Sequence, residues 1–207
     1  MHFPTIPTAV KLLAPKALHW EIRDTGQDKK LYITFDDGPI PEVTPEVLEI
    51  LKEYNAKATF FCVGNNVAKY PELYKRLLEE GHATGNHSFS HMNGSKVKND
   101  EWFSDIAKCR EYVESTLFRP PHGRITYKQV MELKNQYKII MWSVLTGDYD
   151  RNLTEQMVLD NALKYSRNGS ILVFHDSLKA KDKMLYALPR VLDHFSKLGF
   201  TFEKITA

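Results

Sequence analysis

The stretch "KLYITFDDGP", residues 30–39, decides the fold. Lys30 to Phe35 form a β-branched, aromatic run that stops at an Asp-Asp-Gly-Pro turn, the pattern of a strand delivering Asp36 and Asp37 to its carboxyl end. Neighbouring acids in a turn are ordinarily solvated loop charge. Strand ends in parallel β/α folds, however, hold catalytic groups, and two carboxylates on one turn can divide metal binding from proton transfer. The rest of the chain separates the two readings.

Downstream of that stretch, strand-like runs alternate with segments of helical period. "TPEVLEILKEYN" (44–55) predicts a helix with Thr44 as N-cap, Pro45 at its first position, and Val47, Leu48 and Leu51 on one face. "ATFFCVG" (58–64) reads as a strand, "YPELYKRLLEEG" (70–81) as a helix between Pro71 and Gly81, and "HATGNHS" (82–88) as a short strand. Asn99 or Asp100 caps a helix through Leu117, with Trp102, Phe103, Ile106, Cys109 and Val113 at helical spacing. "FRPP" (118–121) follows as an extended piece, residues 126–137 as a helix and "KIIMWSV" (138–144) as a strand. Thr154 opens a helix through Tyr165, "SILVFHD" (170–176) is a buried strand, residues 183–198 form a helix containing Pro189, and "FTFEKI" (200–205) ends the series. The class is α/β, a distorted or incomplete (β/α) barrel of about seven parallel strands. An open doubly wound sheet is the alternative, but no glycine-rich phosphate fingerprint follows the first strand. No linker divides residues 1–207, which read as one domain with residues 1–29 as an N-terminal extension.

Composition narrows the function. A chain of 207 residues, 43% hydrophobic and 12% aromatic, suits a sizeable buried core. Its 28 basic and 26 acidic residues leave a net charge of +2, too little field for nucleic acid or an anionic membrane. Cys62 and Cys109 fit buried small hydrophobes better than a disulfide or metal cluster. "MHFPTIPTAVKLLAPKALHW" has no apolar block long enough for an export signal, and no segment reaches a membrane span, so the cytoplasm is the default compartment. Oligomeric state has no signature in the sequence.

The predicted strand ends carry a consistent polar set: Asp36 and Asp37, then "HSFSH" (87–91), Arg119 with His122, Asp148, and His175 with Asp176. Taken singly, each has an ordinary explanation: Arg119 as a surface arginine before a Pro-Pro turn, Asp148 as a turn residue after Gly147, His175 as the cap of a strand. His87 and His91 stand four residues apart, a spacing that a curled loop can direct at one ion. With Asp37 they make a two-histidine, one-carboxylate set that leaves coordination positions open for water and substrate.

These residues sit in motifs that resemble the polysaccharide deacetylases of carbohydrate esterase family 4, the NodB-homology domain. "TFDDGP" is similar to the family's first motif, "HSFSH" to its second, "RPPHG" to its third, "WSVLTGDYD" to its fourth and "ILVFH" to its fifth, in the family's order and across most of the chain. The resemblance implies a hydrolase that removes acetyl groups from N-acetylated sugars on a chitin-like, peptidoglycan-like or related amino-sugar glycan. It also implies a divalent metal, zinc first and cobalt or nickel next, held by Asp37, His87 and His91, with Asp36 as the base that activates water. His175 would be the general acid, charged by Asp148, and Arg119 would keep Asp36 ionised. Trp142 and Leu172 would flank the acetyl methyl, although periodicity alone makes both ordinary core residues.

Two positions depart from the family pattern. His122 stands where tyrosine is usual; its backbone N–H would still serve an oxyanion hole, while its imidazole adds a titratable group near the metal. Tyr149 stands where tryptophan is common and reshapes one wall of the groove. The same parts would serve an acetyl ester or a small N-acyl amine, and the two departures also motivate a non-catalytic carbohydrate-binding module. Polymer-acting members of the family are commonly exported, which sets the resemblance against the cytoplasmic default.

Overall fold

The computed structural model describes residues 4–23, 26 and 28–206. After helix α1 (Thr8–Leu13) and strand β1 (Leu18–His19), the chain enters β2 (Lys29–Asp36), α2 (Thr44–Glu53), β3 (Thr59–Cys62), α3 (Gly64–Lys69), α4 (Pro71–Glu79) and β4 (Ala83–Asn86). It continues through α5 (Asn99–Arg110), β5 (Leu117–Phe118), a 3-10 turn (Pro121–Gly123), α6 (Tyr127–Leu133), β6 (Lys138–Ile140) and β7 (Val144–Leu145). The last elements are α7 (Glu155–Tyr165), β8 (Ile171–His175), α8 (Lys181–Lys197) and β9 (Phe200–Phe202).

The strands form one sheet in the order β1-β6-β5-β4-β3-β2-β8-β7, with β9 added beside the start of β2, and every ladder is parallel. The sheet curls into the expected distorted barrel. There are nine strands where the sequence suggested about seven, for two reasons. The pair Leu18–His19 is too short to show a period, yet it joins the sheet beside Ile139 and Ile140, within the stretch expected to be an extension. The run 138–144 divides: β6 pairs near one edge of the sheet and β7 forms the other, so Met141, Trp142 and Ser143 cross the gap between the edges. Residues near the N-terminus bridge that gap as well, because Leu145 N–H donates to the Pro4 carbonyl (2.9 Å) and Met141 N–H to the His19 carbonyl (2.8 Å).

Period-two alternation sorts each central strand. On β2, Leu31, Ile33 and Phe35 face the helices and join a core with Val47, Leu48 and Leu51 of α2 and Met184, Leu188, Val191 and Leu192 of α8. Tyr32, Thr34 and Asp36 alternate with them and face the barrel interior, where Tyr32, Phe61, Leu117, Ile140 and Ile171 pack together. Each fully buried Leu or Val contributes roughly 1.5–3 kcal/mol relative to exposure. Both cysteines are free and buried, as expected.

The helix boundaries differ informatively from expectation in two places. Helix α5 has Lys98 rather than Asn99 or Asp100 at its N-cap and ends at Arg110, leaving Leu117 to β5. Thr44 is not the N-cap of α2: Val43 occupies that position, and the Thr44 hydroxyl donates instead to Asp176 Oδ2 at 2.6 Å. Thr154 does cap α7, accepting from Met157 N–H at 3.2 Å. Among the described residues, no helix is long and apolar enough to cross a membrane.

Candidate active site

The carboxyl ends of β2, β4, β5, β7 and β8 open into one groove of about 720 Å³. Parallel register brings its parts together, since Asp36 on β2 lies beside His175 on β8. The interior-facing Asp36 is buried, and its Oδ1 accepts from Arg119 Nη1 at 2.7 Å. Arg119 is wholly buried and well satisfied: Nη1 also reaches Thr34 Oγ1 (2.7 Å), Nε the Ile140 carbonyl (3.2 Å) and Nη2 the Met141 carbonyl (3.0 Å). Its guanidinium lies 4.1 Å from the centre of the Phe61 ring, sandwiching the charge against an aromatic face. A buried ion pair so fully hydrogen-bonded fixes geometry more than it adds stability.

Asp37, the next residue, points away from that pair. Its Oδ1 lies 3.2 Å from His91 Nε2 and 3.9 Å from His87 Nε2. Donors around a tetrahedral zinc with bonds of about 2.1 Å stand roughly 3.4 Å apart, so these separations bracket the required value. All three donor atoms fall within 4.8 Å of one another. His87 Nδ1 lies 2.8 Å from the Arg119 carbonyl, which can only accept, so Nδ1 carries the proton and Nε2 turns its lone pair toward Asp37. Burial pushes the His87 pKa down to about 4, leaving the ring neutral as a ligand must be. Burial alone would raise Asp37, but the hydrogen bond from His91 and the neighbouring imidazoles, His175 first among them, outweigh it and hold this carboxyl well below the usual range. The donor set therefore fits a divalent cation.

Backbone strain is concentrated here. Asp37, Ser88, His91 and His122, four of the five described non-glycine residues with left-handed φ, lie in the site or in the loop that builds it. Each such conformation costs on the order of 1–3 kcal/mol and needs outside support. For the histidine loop, support comes from Asp105, whose carboxylate accepts from Ser90 N–H (3.0 Å), and from Asn86, whose Oδ1 accepts from Ser88 N–H (2.9 Å). For the Asp37 turn, it comes from Asp176. This buried carboxylate accepts from Gly38 N–H (3.0 Å) and Thr44 Oγ1 (2.6 Å), and its own N–H donates to the Asp36 carbonyl (3.2 Å). A Cβ on Gly38 would fall 1.9 Å from Asp176 Oδ2, so only glycine permits this approach.

On the far wall, His175 Nδ1 donates to Asp148 Oδ1 at 2.8 Å, and His175 N–H donates to Asp148 Oδ2 at 2.7 Å. Burial disfavours the imidazolium, but the Asp148 charge and hydrogen bond, with Asp37 and Asp36 beyond, raise its pKa to about 9. Tyr149 meets the His175 ring edge-on with centroids 4.9 Å apart. His122 packs its ring 4.5 Å from that of His91 and also lines the groove.

The structure thus assembles Asp36, Asp37, His87, His91, His122, Trp142 and His175 around one groove, with Arg119 and Asp148 buried behind Asp36 and His175. Leu172 is not brought to it. Its side chain is fully buried in the core between sheet and helices, while Val173 and Leu145 line the groove. Parity explains the difference: positions 173 and 175 share a face of β8, and 172 lies on the other. Asp176 was legible only as one more acid at a strand end, because its role depends on contacts with Gly38 and Thr44 that are remote in sequence.

The polysaccharide deacetylase family model matches residues 23–141. A peptidoglycan-N-acetylglucosamine deacetylase of Bacillus cereus is 32% identical over 194 residues, covering 90% of each chain. A chitooligosaccharide deacetylase of Azorhizobium caulinodans is 37% identical over 166 residues, covering 74% of this chain and 77% of that protein. The fold is similar to that of the Bc1960 peptidoglycan N-acetylglucosamine deacetylase, solved with 4-naphthalen-1-yl-N-oxidanyl-benzamide; the TM-score is 0.86 at 31% identity, over 97% of this chain and 95% of that one. On this likeness, which spans nearly the whole length, the chain belongs to the polysaccharide deacetylase family.

Proposed function

We propose that this chain is a metal-dependent hydrolase that cleaves the acetamide of an N-acetylated amino sugar in a glycan, releasing acetate and leaving a free amine. The observation that carries the reading is the pairing of two differently tuned groups across one groove: Asp36 beside Arg119 on one side of the Asp37–His87–His91 cluster, and His175 beside Asp148 on the other. A divalent ion held by those three donors, zinc foremost and cobalt or nickel as substitutes, would lower the pKa of water and polarise the acyl oxygen.

The protein's own groups do the rest. Arg119 fixes one oxygen of Asp36, and the second lies 4.0 Å from His87 Nε2, beside the metal cluster, where it can take a proton from water. The water oxygen forms its bond to the acyl carbon, and the His122 N–H meets the developing oxyanion. Asp148 keeps His175 protonated, so its Nε2–H is delivered to the sugar nitrogen as the C–N bond breaks. Acetate leaves with the water oxygen. Trp142, Leu145 and Val173 supply apolar surface for the acetyl methyl. A non-catalytic carbohydrate module would have no use for two such pairs flanking a metal-ligand set.

The test is acetate release by zinc-loaded protein from chitooligosaccharide, peptidoglycan, acetylxylan and an N-acetylated small amine. Release from the first two above the others supports an amino-sugar deacetylase. Release from acetylxylan alone would redirect the site to esters, and no release from any would overturn the reading.

A further inference from the structure

We propose that the groove selects an acidic glycan, one carrying carboxylates on sugars flanking the N-acetylated residue, through a cationic rim made by Lys96, Arg124 and Lys179. The inference rests on the deacetylase reading for the reacting group and adds the charge class of the substrate. All three side chains are exposed and line the same groove as the metal-ligand cluster. They occupy both walls. Lys96 and Arg124 stand on the side of His91 and His122, in the loop closed by Lys96 N–H to the Asn93 carbonyl (2.9 Å) and just after the Pro121–Gly123 turn. Lys179 stands on the opposite side, with Nζ 5.3 Å from the centre of the Tyr149 ring, which itself packs on His175.

Charge balance makes the rim a net cationic surface. Asp36 and Asp37 are the only acids among the groove-lining residues. Asp36 is neutralised by Arg119, and Asp37 faces the two histidines and would be neutralised by a bound cation. No carboxylate pairs with Lys96, Arg124 or Lys179 among the described residues. The overall charge is only +2, so three unpaired cations around one groove are a local feature rather than a reflection of a basic protein. Ammonium and guanidinium groups on opposite walls suit an extended chain with anions on both sides of the reacting sugar, and the arginine fork suits a planar carboxylate.

The experiment compares two probes that share one backbone and differ in the charge of their uronates: a hexasaccharide alternating N-acetylglucosamine with glucuronate, and its carboxyl methyl ester. Binding is measured to the zinc-loaded Asp36→Asn variant and, in parallel, to EDTA-treated wild type, so that turnover does not intervene. Each exposed pair is worth a factor of about two, so the acid should bind about eightfold more tightly than the ester. That preference should vanish as ionic strength rises from about 0.01 M to about 1 M, where the Debye length contracts from about 30 Å to about 3 Å. The triple variant Lys96→Ser, Arg124→Ser, Lys179→Ser, altered only at exposed positions, should bring the ratio of the two affinities toward one. Equal binding of acid and ester, or a preference that survives the triple variant, overturns the inference and leaves the deacetylase reading intact. Failure of acetate release overturns that reading while the charge preference remains measurable.

Discussion

Replacing Asp148 by asparagine isolates the electrostatic support of the proposed general acid. Asp148 keeps a carboxylate oxygen against His175 Nδ1 and raises the imidazole from 6.5 to about 9. That net displacement is worth roughly 3 kcal/mol: burial, the largest single influence, opposes it, and Asp37 and Asp36 add smaller contributions to that of Asp148. Because the folded pKa is raised, the protonated form is secure below about pH 6.5 and is lost as pH climbs through about 9. At about pH 8 a group of pKa about 9 is roughly nine-tenths protonated, whereas one returned to about 6.5 is roughly one-thirtieth protonated. Asp148→Asn should therefore lower kcat about thirtyfold at pH 8 and recover much of it near pH 6. A bound cation lowers the imidazole pKa in both proteins, so the quantity predicted is the separation of the two alkaline limbs, about two pH units. The assay is the pH profile of kcat for acetate release, with the 13C shift of the His175 ring as an independent titration. A uniform loss at every pH, with no displacement of the limb, would refute the charge argument and assign Asp148 a purely structural part.

Asp176→Asn exchanges a buried acceptor of the Gly38 N–H for an amide that presents a donor on one side, and should loosen the Asp37 turn. An unsatisfied buried group costs about 1–3 kcal/mol, so zinc affinity should fall about tenfold or more in a calorimetric titration while the far-UV spectrum is retained. Leu172→Ala should lower stability by about 2–5 kcal/mol in urea with KM unchanged, and Val173→Ala should instead change KM, since only Val173 lines the groove. Arg119→Ala strips partners from Asp36, Thr34 and two carbonyls at once, and should cost about 3–5 kcal/mol by thermal or urea unfolding.

What the sequence disclosed follows from how local each signal is. Apolar alternation and strand-end polarity need only neighbouring residues, so the β/α order and the groups from Asp36 to His175 were readable before any coordinates. The split of residues 138–145 across the barrel seam was not, because a continuous apolar run looks the same whether or not it changes partners midway. Thr44 has the residue type and position of an N-cap, and only the approach of Asp176 diverts its hydroxyl. Leu172 failed on a matter of parity: its type suits an acetyl pocket, but its face of the strand is fixed by His175 three positions later. The rim cations Lys96, Arg124 and Lys179 come from three segments far apart in the chain, so nothing local to any one of them foretells their meeting at one groove.

The central claim is that the Asp37–His87–His91 cluster binds the catalytic ion while Asp36, its neighbour in sequence, handles the proton. Protein stripped with EDTA and titrated with zinc tests both halves in one series of acetate-release rates. The rate should rise from near zero to a plateau at one zinc per chain, and Asp36→Asn should bind that zinc with similar affinity while losing a factor of about 10²–10⁴ in rate. A rate indifferent to stripping, or an Asp36→Asn variant as fast as wild type, would contradict the account.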